Sequence, residues 1–558
     1  MTASNYLSQI LDNPIHTVNK ILNDKCGVNN FFVDQPDLAG CIACRTKAEQ
    51  DEYGDWQTNL SLAIAICEKL KNDGIDPEII IEPTCGKGNF IIAALMVFDN
   101  IKEVYGIEIY KPYVDEVKYQ ILQFYLNNDN GDKPEFNIYH ENIFDFDIKA
   151  LKDKVHEKRT LLIGNPPWVT NGKLGELNSN NLPIKSNFKK HSGLESITGK
   201  GNFDISEYIM IQLLKTFCQE NVQIAFLLKN SVIKNIVHDQ QRMKYPIALM
   251  KQHNIDAKKE FNVSVDASLF QISFGNTCSM TCNIYDFYKQ EQKGSYGWHN
   301  GHFVSDIEKY AQCKDIEGTS QLTWWSGIKH DCAAVMELDY ANGQLYNSLK
   351  EAVIIEDDII YPLLKSSDLH SDNNPMKRKK YVIVTQKHTS ENTLILKAKS
   401  PLAYSYLEKH AERLDNRGSR IYRSRPRFCI FGIGEYSFMK YKVAISGLYK
   451  VPKFQLITPI NGRPVMLDDT CYALGFNNLN IATIVHKILN SDLVLKFIES
   501  IMFSDAKRSI TKELLMRIDL AKAAESIGYM QLGINKEEFD EFINYIRNHH
   551  KTGQGLLF

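Results

Sequence analysis

Hydrophobic and polar positions change rhythm several times along the chain, and those changes divide it into elements. Leu60, Ala63, Ile64, Cys67 and Leu70 recur at helical spacing, and Gly74 and Pro77 come next, where a helix must stop. The next apolar run, Ile79-Ile80-Ile81, is continuous rather than alternating, which predicts a strand buried on both faces. A Gly-containing turn then leads to an apolar helix from Phe90 to Phe98, a strand from Val104 to Ile109 and a helix from Tyr113 to Leu126. Two more buried strands are expected at Leu161-Leu162-Ile163 and from Ile224 to Leu228, with a polar loop and a helix from Ile205 to Cys218 between them. Strands alternating with helices predict an α/β, Rossmann-like doubly wound domain over 51–315, preceded by a helical segment over 1–50. Ligands in such sheets sit at the carboxyl ends of the strands.

Beyond 316 the pattern shifts to shorter β-type runs such as Tyr381 to Thr385, with basic and Gly-rich connections. A separate mixed α+β domain is expected over 316–558, with a helical tail from Asn480 whose Phe539, Phe542, Ile543 and Ile546 form one packing face.

Composition narrows the class. A chain of 558 residues is too long for one core. No apolar run approaches the roughly 20 residues of a membrane span, and Met1 to Val18 lacks the pattern of a secretory signal, so a cytoplasmic protein with no membrane partner, a monomer or weak dimer, is expected. Twelve cysteines do not make a disulfide scaffold in a chain this long. Cys41 with Cys44 and Cys278 with Cys282 are close pairs, but neither has a second pair beside it, so reduced thiols and no metal site are expected. Net charge is only −2, yet the stretch from Lys409 to Lys453 carries Arg413, Arg417, Arg420, Arg423, Arg425, Arg427, Lys440, Lys442 and Lys450 against Glu412, Asp415 and Glu435. Such local cationic density suits a phosphate-contacting surface.

Two turns carry candidate chemistry. After the first strand comes Glu82-Pro83-Thr84-Cys85-Gly86-Lys87-Gly88-Asn89-Phe90. Gly86 and Gly88 remove side chains where the backbone must pass close to a bound molecule. The turn lacks the Lys-Ser or Lys-Thr of a phosphate-binding loop, which favours a cofactor without phosphates. Glu108 ends the second strand, where a carboxylate can accept from both ribose hydroxyls; a solvated strand-end Glu is the alternative. Asn142, in Glu141-Asn142-Ile143-Phe144, is placed to recognise an adenine edge, with Ile143 covering the ring face.

The second turn is Gly164-Asn165-Pro166-Pro167-Trp168. Two prolines directly after a buried strand fix an extended turn without backbone donors, so its carbonyls face outward. With an amide before them and a large aromatic after them, they form an acceptor site for a flat, amino-bearing group. An adenine N6 is planar and poorly nucleophilic. Acceptance of its hydrogens by the Asn165 side-chain oxygen and the Pro166 carbonyl draws it toward tetrahedral geometry, with catalysis coming from orientation and electrostatics. Trp168 would stack on the base.

In these motifs the sequence resembles the gamma class of amino-methylating DNA methyltransferases, in which a cofactor motif precedes the catalytic motif and a target recognition domain lies after both. Matching segments run from about Trp56 to Gly275. The resemblance implies S-adenosylmethionine as cofactor, held by Thr58, Glu82, Thr84, Gly86, Gly88, Glu108, Asn142 and Ile143. It further implies that Phe261 closes on the other face or edge of a flipped adenine, that double-stranded DNA is the partner, and that a cognate restriction endonuclease is a separate chain. Asn142 stands where Asp is commoner, and Trp168 where Tyr is commoner. The DNA-contacting residues expected are Arg417, then Arg420, Arg423, Arg425 and Arg427, whose alternation would put several on one strand face, and Lys185, Lys189 and Lys190 in the polar loop after the catalytic turn, a loop expected to order on DNA. Lys377-Arg378-Lys379-Lys380 is a lesser DNA candidate or a solvated face.

The same tetrapeptide serves enzymes that methylate a protein glutamine or an RNA amino group. Those would not need a second domain of this size with an arginine strip. A fused nuclease would need more chain than precedes Trp56, and a non-enzymatic DNA-binding module would not need the tetrapeptide.

Overall fold

In the computed structural model, residues 56–128, 133–170, 204–371, 380–423, 425–505 and 507–553 are described, with scattered positions between 14 and 24. The chain divides into two compact units, 1–303 and 304–558, whereas the composition shift predicts a boundary at 315/316.

The first unit alternates helix and strand: α1 (Leu60–Asn72), β1 (Ile79–Glu82), α2 (Asn89–Val97), β2 (Glu103–Glu108), α3 (Lys111–Asn127), β3 (Glu135–His140), α4 (Ile148–Val155), β4 (Thr160–Gly164), α5 (Ile205–Phe217) and β5 (Val222–Lys229). All but β3 and α4 match the elements expected from apolar spacing to within a few residues. Caps fix the starts that matter most. The Asn59 side chain accepts from Leu62 N at 2.8 Å to open α1, and Asp204 accepts from Ser206 N at 3.1 Å to open α5. After β5 come α6 (Asn230–Met243), β6 (Ile247–Ile255), α7 (Ala257–Phe261), β7 (Ala267–Phe274), β8 (Thr281–Asp286), β9 (Gln292–His299) and β10 (His302–Val304).

All ten strands form one sheet, ordered β10-β9-β8-β6-β7-β5-β4-β1-β2-β3. The five strands β3, β2, β1, β4 and β5 are parallel, and β7 inserts antiparallel between β5 and β6. The α/β doubly wound expectation therefore holds, and the order reverses between β1 and β4, where a ligand crevice is expected. The strands after β5 are not among the elements predicted from apolar spacing. Their buried faces carry polar groups: Tyr296 donates to Gln252 Oε1 at 2.9 Å, and the buried His253 places Nε2 at 3.3 Å from Gln271 Oε1 and stacks on Tyr285 at 5.1 Å, its Nδ1 left without a partner among the described residues. Burial also pulls the His253 pKa down to about 4.

The second unit is mixed α+β, as expected. A six-stranded sheet runs Ala352–Val353, Gln344–Asn347, Glu337–Ala341, Lys380–Ile383, Ile360–Leu364, Met466–Leu467, and a four-stranded sheet runs Trp325–Ser326, Cys471–Phe476, Tyr441–Ser446, Phe454–Ile457. Helices Leu479–Leu489, Asp492–Ile501 and Lys536–Gly553 share a core with the smaller sheet, centred on Trp324, Phe497 and Phe542. The predicted tail stripe lies in it, with Phe542, Ile543 and Ile546 buried and Phe539 partly so.

Among the described residues no helix is long and apolar enough to cross a membrane, and no group of three or more His, Cys, Asp or Glu side chains could hold a metal. Cys41 and Cys44 lie outside the described residues; Cys278 is exposed and Cys282 buried.

Lys442, on the strand Tyr441–Ser446, is only 4% exposed and donates to the Met439 carbonyl at 3.0 Å. Burial lowers its pKa to about 7, against about 10.4 in an unfolded chain. Between those values the unfolded state holds the extra proton, so stability rises with pH across that window, and below it the folded protein bears the full cost of a poorly solvated ammonium. Lys442→Met is expected to raise the calorimetric unfolding midpoint at about pH 6, with the gain vanishing toward about pH 10. An equal gain at both pH values would contradict the buried charge.

Candidate active site

At the carboxyl ends of β1, β2 and β4 lies a cavity of about 790 Å³. Both turns singled out in the sequence reach it. Thr58, Glu82, Thr84, Gly86, Glu108, Asn142, Ile143, Asn165 and Pro167 all line it, and no Lys, Arg or His side chain does among the described residues. Its carboxylates are Glu82, Glu108 and Glu141.

The glycine turn is tied down on both sides. Cys85 N donates to the Ile107 carbonyl at 2.9 Å, and Gly86 N to Glu108 Oε2 at 2.9 Å. The other oxygen of Glu108 accepts from Tyr110 N at 2.8 Å, so backbone donors on both sides fix the plane of this carboxylate. At Gly86 (φ +51°) an added Cβ would lie 2.5 Å from Gln57 Oε1, the same oxygen that accepts from Lys87 N at 3.1 Å. Gly88 answers to a different constraint from the one read in the sequence. It opens α2 at φ +82°, and an added Cβ would meet Val117 of α3 at 2.9 Å, so helix packing rather than a bound molecule requires it.

Several polar atoms of this cavity have no hydrogen-bond partner among the described residues. Thr58 Oγ1, Thr84 Oγ1, Glu82 Oε2 and Asn165 Oδ1 are all buried and unsatisfied. Burial, reinforced by the Glu108 charge, holds the Glu82 carboxyl well above the usual carboxylate range. Asn142 is more committed than expected: its Oδ1 accepts from Phe144 N at 3.1 Å and closes a tight turn.

Asn165 comes directly after β4, and its orientation is determined by one bond. Its Nδ2 donates to the Trp56 carbonyl at 2.6 Å. A carbonyl can only accept, so the amide nitrogen must face Trp56, and Oδ1 is the atom left over. Trp56 is held in turn by its neighbours, since the Thr58 carbonyl accepts from Asn89 Nδ2 at 2.7 Å. Sequence reasoning missed Trp56 and Asn89, because a main-chain acceptor leaves no residue-type signal.

Pro166 and Trp168 are buried. The Trp168 indole donates to the Leu227 carbonyl at 3.2 Å, and its ring meets Phe261 edge-on, with centroids 5.2 Å apart and planes at 67°. The two aromatics, expected on either side of a bound base, touch each other. Both rings are buried, packed in the core of the first unit.

No family model matches the chain. The α/β chain belongs to the type II methyltransferases. Over 478 residues it is 41% identical to the type II methyltransferase M.NspV of Nostoc sp. (strain ATCC 29411 / PCC 7524), covering 85% of this chain and 98% of the relative. Among solved structures it is similar to the type IIL restriction-modification enzyme MmeI in complex with DNA, at 12% identity and TM-score 0.46, covering 90% of this chain and 76% of the other. A DrdV-DNA complex is similar at 10% identity and TM-score 0.45, covering 90% and 57%.

The arginine strip of the second unit requires correction. Arg420 to Tyr422 form a short 3₁₀ turn with further turns after it, so these arginines do not alternate along a strand. Arg417 is structural: its guanidinium donates to the Leu414, His330 and Cys429 carbonyls and stacks on Tyr422 at 3.7 Å. Arg427 is engaged by Asp415 at 2.7 Å and Glu408 at 3.1 Å, partners that compete with any phosphate. Arg420, Arg423 and Arg425 are exposed, and among the described residues no carboxylate pairs with them. Lys380 pairs with Asp339 at 3.2 Å, while Lys377, Arg378, Lys379, Lys185, Lys189, Lys190 and the loop 171–203 lie outside the described residues. Arg417→Ala is therefore expected to destabilise the second unit by about 2–4 kcal/mol, as three acceptors lose their donor, whereas Arg423→Ala stays within about 0.5 kcal/mol. Denaturant titration of both variants checks the contrast, and equal stabilities would refute the structural assignment of Arg417.

Proposed function

We propose that the chain is a gamma-class, site-specific DNA methyltransferase that moves a methyl group from S-adenosylmethionine to N6 of an adenine turned out of the duplex, as the modification partner of a restriction system. The observation that carries this reading is the Asn165 amide: pinned through its nitrogen, with a buried oxygen that no group satisfies among the described residues. An unsatisfied acceptor costs about 1–3 kcal/mol. An amino group presented to it would remove that cost.

S-adenosylmethionine fits the cavity on chemical grounds. It carries a nucleoside, no phosphate and a cationic tail, and the lining has carboxylates without basic side chains. The Thr58 and Thr84 hydroxyls and Glu82 Oε2 are free to take the amino-acid end. Glu108, its plane already set by two backbone donors, would receive the ribose, and Ile143 and Asn142 the adenine ring. The cofactor, when bound, supplies an electrophilic methyl group on a cationic sulfur with a neutral thioether as leaving group. Asn165 Oδ1 and the Pro166 carbonyl accept the two N6 hydrogens of the target, localising the nitrogen lone pair on the side away from them. Trp168 and Phe261 form a corner that holds the purine by face and edge.

Turning the base out costs a few kcal/mol, which contacts to the flanking backbone must supply. The exposed Arg420, Arg423 and Arg425, with no carboxylate paired to them among the described residues, are candidates to do so.

Asn165→Ala is expected to lower methyl transfer to duplex DNA by at least about 10²-fold while calorimetric cofactor affinity is retained. Nucleoside digestion of wild-type product is expected to give N6-methyladenine; N4-methylcytosine as the sole product, or full turnover by the variant, would sink the assignment. The upward shift of the Glu82 carboxyl gives a second expectation. A cationic ligand beside it binds the ionised form, so cofactor affinity is expected to rise with pH, by up to about tenfold per unit while the free carboxyl remains protonated. Glu82→Gln flattens the dependence. A pH-independent wild-type affinity would remove Glu82 from the cofactor site.

A further inference from the structure

The catalytic turn is gripped from behind by a buried ion pair that its chemistry does not require. Lys229, the last residue of β5, donates from Nζ to the Trp168 carbonyl at 3.0 Å and to Asp204 Oδ2 at 2.6 Å. The pair is largely buried, with side chains 18% and 8% exposed. Asp204 is not free to move toward a substitute, because its other oxygen accepts from Ser206 N at 3.1 Å and Ser206 Oγ at 2.6 Å at the start of α5. Beside the pair, Ile205 N donates to the Val169 carbonyl at 2.9 Å, and Thr170 forms a β-bridge with Asp204. Leu227, two residues before Lys229 on the same strand, accepts the Trp168 indole N–H.

Trp168 is thus fixed at both its ring and its carbonyl by alternate residues of one strand. We propose that Lys229 and Asp204 are positioning residues: their ion pair sets the Trp168–Val169 peptide plane, and through it the Trp168 ring on which the target base rests. The proposal rests on the methyltransferase reading given above. A purely structural pair would need no third partner, and the shared ammonium ties the end of the catalytic turn to the cap of α5 with a charge-assisted bond to each. Displacement of a base by a fraction of an ångström to one ångström is enough to lower a transfer rate by one to two orders of magnitude, about 10- to 10²-fold.

The test uses the full-length protein with duplex DNA containing its site and S-adenosylmethionine, under single-turnover conditions. Lys229→Met is expected to slow transfer by about tenfold or more, with calorimetric cofactor affinity and KM for DNA little changed, and Lys229→Arg to recover part of the rate. Because Lys229→Met strands a buried carboxylate, Lys229→Met with Asp204→Asn is the decisive variant: asparagine still caps α5 and carries no charge. It is expected to regain thermal stability while its rate stays low. Recovery of rate together with stability would reduce the pair to a structural role, and a wild-type rate in Lys229→Met would overturn the proposal outright. Wild-type protein run alongside separates the two levels. Absence of any transfer by it to DNA defeats the underlying reading and the proposal with it, whereas robust wild-type transfer with an unimpaired variant defeats the positioning role alone.

Discussion

One hydrogen bond, from the Asn165 amide to the Trp56 carbonyl, determines what the rest of this site can do. An asparagine side chain has a donor end and an acceptor end of nearly equal size, and only its partners decide which end faces a ligand. Here the partner is a main-chain oxygen on the segment before α1, itself stitched to the glycine turn through Asn89 and Gln57. Three stretches far apart in sequence therefore form one bonded unit, and the acceptor is presented without any motion of its own. Preorganisation of this kind is where an enzyme lowers a barrier without reorganising at the moment of reaction.

The cavity is costly for the fold to keep. Among the described residues four of its buried polar atoms go unsatisfied, Glu82 and Glu108 face the same space, and burial pushes the Glu82 carboxyl well above the usual carboxylate range. A core built for stability alone would replace them with apolar groups. The surroundings compensate through dense apolar packing by α1, α2 and the parallel strands, where Ile66, Ile80, Ile91, Val104 and Leu161 are wholly buried.

Much of the first unit is legible in its sequence because period and burial agree there. β1 and β4 read as continuous apolar runs, since every position in them is buried, and the helices between them read at their own spacing. The cavity lining is legible wherever a side chain faces the space, as at Glu82, Glu108 and Asn165. Where backbone makes it, as at Trp56, no residue type can announce it. Gly88 reads as a point of ligand approach although Val117 is what requires it, because a glycine in sequence does not say which neighbour excludes a Cβ. The strands from β6 onward, which bury Gln252 and His253, hide their pattern by pairing polar groups inside the sheet. The arginines are the least legible. Charge along a sequence cannot separate Arg417, committed to three carbonyls, from Arg423, which faces solvent.

The place of Trp56 ahead of the first helix bears on where this polypeptide tolerates being opened. The strands that form the cavity floor begin at Ile79, so a rearranged chain starting at Leu60 would keep every strand and every helix of the sheet. It would nonetheless lose the acceptor that orients the Asn165 amide, together with the cap of its own first helix at Asn59. New termini belong upstream of residue 56, or in a connection that leaves 56–59 covalently joined to α1.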